Sequence, residues 1–76
     1  MQLTDMIIDR KMRISNLASV NHLVRRRLCD LGIIEGTIIC LKKKLPFEGP
    51  CTIEVSGLWI AIRRIEASRI QVEEVC

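Results

Sequence analysis

The spacing of apolar and polar positions changes twice along this chain. Residues 11–17 alternate, with Met12 and Ile14 on one side and Arg13 and Ser15 on the other. That is the pattern of a half-buried strand. From residue 21 the period lengthens. Val24, Leu28 and Leu31 fall at i, i+4 and i+7 and share one helical face, while Arg25, Arg26 and Asp30 fall on others. Asn21 fits the N-cap, with Ser19 as competitor, because either side chain accepts a bond from a free first-turn amide. Gly32 follows the last apolar position, where a left-handed residue closes a helix without a Cβ clash. Gly36 repeats the device four residues later, and the period returns to two. A helix this short is marginal alone, so it must dock on the β part that follows.

Residues 37–44 place Ile39 and Leu41 on one face and Ile38 and Cys40 on the other, and Lys42, Lys43 and Lys44 end the strand. Residues 45–50 (LPFEGP) form a loop that either presents Phe47 to solvent or folds it back over the barrel mouth. Residues 51–56 alternate, with Cys51, Ile53 and Val55 inward. Gly57 makes a tight turn. Leu58, Ile60 and Ile62 then share a core-facing side, which sends Trp59 outward, either under the helix or as an exposed anchor. Residues 64–68 make a single helical or 3-10 turn, across which Arg63 and Glu66 are spaced to pair. Ile70 and Val72 belong to a final strand. At the N-terminus, Leu3, Met6 and Ile7 form a helical turn or a strand-like lead-in that covers an open end of the β part.

About five strands, each with one apolar face, bury those faces by curling on themselves. The prediction is an all-β fold with one short helix: a small SH3-like barrel. The helix lies between strands 1 and 2, and a single helical turn precedes the last strand. Seventy-six residues make one domain, 1–76. The 49% apolar share supports a core without staples. No run reaches the ~18 apolar residues of a membrane helix, and residues 1–8 carry an early acid and no long apolar centre. These features predict a soluble cytosolic domain with no direct membrane insertion.

The net charge of +3 suits an acidic partner without demanding nucleic acid. Phe47 and Trp59 are the only aromatics, too few for base-stacking platforms or a PxxP groove. The carboxylates are scattered over strand ends and loops, with no spaced pair for acid–base chemistry. No phosphate loop is present, and no enzyme activity is expected. Cys29, Cys40, Cys51 and Cys76 lack the short paired spacing of a zinc site. They read as reduced, mostly buried small apolar residues. With His22, the first three are weak candidate metal ligands.

In order and spacing, these residues resemble the FeoA family of bacterial ferrous iron transport. The family's Arg-Leu, Leu-Gly and strand-opening Gly stand here as Arg27-Leu28, Leu31-Gly32 and Gly36. Its later signature stands as Gly57, Ile60-Ala61-Ile62-Arg63, Glu66-Ala67 and Ile70-Gln71-Val72, with Pro50 before the third strand. Departures are Asp9-Arg10-Lys11 before the first strand, Ile62 for a leucine, and a more basic helix. The resemblance implies a cytosolic accessory protein that binds the GTPase-bearing part of the membrane transporter FeoB. It implies no firm cofactor, and Fe²⁺ or another divalent transition metal is the ligand class left open. The alternative resemblance is to the C-terminal SH3-like domain of DtxR-type metalloregulators. That reading ranks second because no helix-turn-helix precedes the barrel.

The expected partner contacts are Lys42, Lys43, Lys44 and Phe47, a loop aromatic beside a cationic strand end, with Trp59 as a further anchor. Gly32, Gly36 and Gly57 are the structural turns. An uncovered strand edge on so small a barrel also leaves room for weak homo-oligomers.

Overall fold

The computed structural model describes residues 1–75; Cys76, one of the four cysteines, lies outside them. A 3-10 turn at Leu3–Asp5 leads into strand β1 (Lys11–Asn16) and helix α1 (His22–Asp30). Then come β2 (Ile38–Lys44), β3 (Cys51–Val55), β4 (Leu58–Ile62), the one-turn helix α2 (Arg64–Ala67) and β5 (Gln71–Glu74). The five strands form one antiparallel sheet in the order β4-β3-β2-β1-β5. The helix stands between β1 and β2 and the helical turn before β5, as the sequence predicts. That turn is α rather than 3-10.

One face of the curled sheet is the core. Met12, Ile14, Ile39, Leu41, Cys51, Ile53, Ile62 and Val72 are all buried there. The register is pinned by the alternation itself, since a slip of one residue would turn every one of these side chains to water. Leu28 is the buried anchor of α1, and Val24 packs half-buried beside it. Asn21 is the N-cap: its side-chain oxygen accepts from the Leu23 amide at 2.9 Å. At the other end Gly32 (φ 84°) donates to Cys29 O at 2.9 Å, and Ile33 donates to Leu28 O at 2.8 Å. This is the Schellman closure, with Leu28 and Ile33 both buried as its apolar contact. Gly36 and Gly57 also have positive φ, 95° and 84°. Ser56 (φ 50°) and Gly57 are the two central residues of the β3–β4 turn, the signature of a type I′ hairpin.

The N-terminal lead-in covers the outer edge of the sheet. Leu3 and Met6 are buried, Leu3 donates to Ile70 O at 2.9 Å, and Val72 donates to Met1 O at 2.7 Å. The free side of β5 is therefore already paired. Ile7 does not join this cover and is exposed. The chain leaves the 3-10 turn in extended conformation at Met6 and turns again at Asp9 (φ 70°), which carries Ile7 away from the core. Leu58 also departs from the expected core side and is exposed. It faces inward by register, but it stands at the hairpin tip, beyond the end of the core. Leu31 is exposed in turn, because it is the C-cap where α1 stops rather than part of its buried stripe.

Candidate functional site

The loop at residues 45–50 is built to project. Leu45 and Gly49 both donate within it, to Pro50 O at 3.4 Å and Pro46 O at 3.1 Å. Gly49 sits so close to Leu45 that an added Cβ would lie 2.8 Å from the Leu45 Cβ. Between them Phe47 and Glu48 both take left-handed backbone, φ 56° and 59°, a conformation that non-glycine residues adopt at a cost. Phe47 is 99% exposed, so it does not fold back over the barrel. The loop is held from below by Arg64. Its Nε donates to Gly49 O at 3.1 Å and its Nη2 to Leu45 O at 2.6 Å. A planar guanidinium meets two carbonyls of one loop in this way, where a lysine would offer a single point charge. Sequence reasoning missed Arg64. The only signal was its place in an arginine pair at the start of a helical turn.

The three lysines divide into separate roles. Lys42 Nζ lies 3.2 Å from Asp9 Oδ1 and 3.7 Å from Glu54 Oε1. The hydrogen bond to Asp9 raises the Lys42 pKa above its ordinary 10.5; partial burial opposes the shift and nearby negative charge adds to it. Lys44 donates to Thr4 O and ties the end of β2 to the N-terminal turn. Lys43, opposite Thr52, is exposed and has no ion pair among the described residues. A register shift between Leu41 and Lys43 marks the bulge that lets neighbouring lysines go different ways.

Trp59 is exposed on the outer face of the sheet, directly opposite Glu54. Register sets Glu54 opposite both Trp59 and Cys40, and Lys42, two residues beyond Cys40 along β2, joins this group through its ion pair to Glu54, while Phe47 and Lys43 lie at or beyond the end of β2. The expected contact residues thus form two neighbouring patches rather than one. Arg63 and Glu66 do not pair. Arg63 is the N-cap of α2, and Glu66 Oε2 is buried with no hydrogen-bond partner among the described residues.

The structure does not gather the weak metal candidates. His22 and Cys29 are exposed on α1, seven residues and about 10 Å apart along its axis. Cys51 is in the core, and Cys40 is buried on the outer face opposite Lys11 and Glu54. Among the described residues no three His, Cys, Asp or Glu side chains are placed to hold a metal. No described helix is long and apolar enough to cross a membrane.

The same fold recurs in solved proteins. The FeoA protein of Chlorobium tepidum superposes with a TM-score of 0.90 at 26% identity, over 100% of this chain and 71% of that one. Stenotrophomonas maltophilia FeoA, an SH3 domain protein complexed with zinc, gives 0.80 at 24% identity, over 96% and 89%. T. acidophilum IdeR gives 0.83 at 23% identity, over 99% of this chain but 34% of that one, a likeness of fold alone. No curated protein matches this chain. The FeoA domain family model matches residues 1–74, and with the SH3-like barrel it decides the assignment: the chain belongs to the FeoA domain family of ferrous iron transport.

Proposed function

We propose that this chain is a non-catalytic accessory protein of bacterial ferrous iron uptake, working in the cytoplasm as one domain over residues 1–76. Its partner is the cytosolic, GTPase-bearing part of a FeoB-type transporter. Phe47 carries the reading: a fully exposed aromatic, held in a costly backbone conformation by Arg64, is what a docking anchor requires. Lys43 supplies charge beside it, and Trp59 is the second anchor. Lys42 and Lys44 serve by fixing the strand that carries them.

The test is an amide NMR titration with the soluble cytosolic part of the cognate transporter, with and without nucleotide. Saturable shifts centred on residues 42–47 and on Trp59 are expected. The absence of saturable binding in both conditions would overturn the proposal.

A metal-responsive module is the second reading, favoured by the zinc held in the S. maltophilia relative. Its ligands would come from among His22, Cys29, Cys40 and Cys51, after rearrangement. Unchanged metal affinity in a set of Cys-to-Ser variants would remove it.

A further inference from the structure

One sheet edge is covered and the other is open. The N-terminal residues pair with β5, as described, so β4 is the free edge. In the type I′ hairpin Val55 and Leu58 exchange both backbone bonds, and so, two and four residues on, do the pairs Ile53–Ile60 and Cys51–Ile62. The N–H and C=O groups of Trp59 and Ala61 therefore point away from β3. No turn, loop or cap among the described residues engages them. Unpaired edge groups of this kind are a template for another strand.

The edge borders a cleft. Val24 and Leu28 of α1 and its C-cap Leu31 face Ile60 across a space of about 220 Å³, with Arg27 and Arg63 also lining it. The charge around it is one-sided. The ion pairs of the described residues engage Arg10, Arg13 and Lys42, on or next to β1 and β2. None engages Arg25, Arg26 or Arg27 on α1, or Arg63 after β4. Among the described residues the one acid lining the cleft is Glu66, whose buried Oε2 has no partner there and remains an acceptor for an incoming N–H or hydroxyl.

We infer that β4 is a β-augmentation site for an extended acidic peptide segment. The segment pairs with Trp59 and Ala61 through its backbone. It places an apolar side chain in the cleft under α1, and its carboxylates meet Arg27 and Arg63. Main-chain bonds supply affinity and alternate side chains supply selectivity. A second copy of this chain fits less well, because it would bring the same arginines to the same edge. The site lies apart from the Phe47 loop, shares with the proposed transporter face only Trp59, here through its backbone rather than its side chain, and does not depend on the transporter reading.

The probe is a blocked seven-residue peptide in which valines alternate with glutamates. Its control has lysines in place of the glutamates. Amide NMR should show saturable binding of the acidic peptide alone, with slowed exchange at the Trp59 and Ala61 amides and weaker binding as salt rises. Ala61→Pro removes an outward N–H at an edge position where proline is tolerated, and should weaken binding about tenfold. Arg27→Glu, an exposed helix substitution, should weaken it as well. Equal binding of both peptides, no saturable binding, or full affinity in folded Ala61→Pro would each overturn the inference. So would slower diffusion at high protein concentration with the same two amides protected and no response to peptide, which would seat a second copy there.

Discussion

Arg64 Nη2 donates to the carbonyl of Leu45 at 2.6 Å, across nineteen residues of chain. With the Nε bond to Gly49 O, it makes α2 the support of the β2–β3 loop. Arg64→Ala would leave both carbonyls to water. Because one bond is exposed and the other half-buried, the expected loss of stability is about 1–2 kcal/mol. The larger effect is local: loop amides should exchange faster and transporter affinity should fall. Arg64→Lys should not restore the loop, since one ammonium cannot reproduce the fork. Thermal unfolding together with hydrogen exchange separates the two effects.

Phe47 allows stability and docking to be pulled apart. Its side chain touches almost nothing, so its removal empties no cavity. Its φ of 56° is one that glycine adopts freely. Phe47→Gly relieves about 1–2 kcal/mol of left-handed strain and adds about 0.5–1 kcal/mol of chain entropy cost. Unfolding in urea should therefore show a midpoint unchanged or slightly raised. Transporter binding should drop by at least tenfold if Phe47 is the anchor. A lowered midpoint would show that the loop needs the phenyl ring for its own structure.

The alkaline limb of stability should report Lys42. Its folded pKa lies above the unfolded value because the protonated ammonium is held by Asp9. Its contribution is therefore fully present below pH 10.5 and is lost as pH rises through the folded value. Asp9→Asn keeps the left-handed backbone at this position, which asparagine adopts readily, and removes the charge. Stability measured between pH 9 and pH 12 should then fall less steeply than in the parent chain. An unchanged slope would assign the shift to neighbours of Lys42 other than Asp9.

The strands and α1 were legible because each follows from a local rule: alternation for β1 to β5, a 3.6 period for α1, and an amide-accepting cap at Asn21. The Schellman glycine was legible for the same reason. What the sequence could not show depends on contacts between distant segments. Ile7 continues an apolar run, yet the backbone turns it out before β1. Leu58 obeys the alternation and still lies exposed, because period two predicts a face and not where the core ends. Among the site residues, Phe47 and Trp59 stood out by type. The separation of Lys42, Lys43 and Lys44 into three roles needed the bulge after Leu41 and the positions of Asp9 and Thr4. Arg64 looked like one more surface cation, and only the fold brings the loop carbonyls to it.

The N-terminal segment is best tested at Leu3. Its side chain is fully buried, and its amide bonds to Ile70 O just ahead of β5. Leu3→Ala should cost about 2–4 kcal/mol through lost burial and the cavity left behind. The same change weakens the hold of residues 1–3 on β5, whose edge would then open in a fraction of molecules. An opened edge offers unpaired backbone groups to other chains. Sedimentation velocity should therefore show self-association that grows with concentration in Leu3→Ala and is weaker in the parent chain. Ile53→Val, also fully buried but remote from this edge, is the control. It should lower the unfolding midpoint without promoting association, so that general destabilisation and edge exposure are told apart.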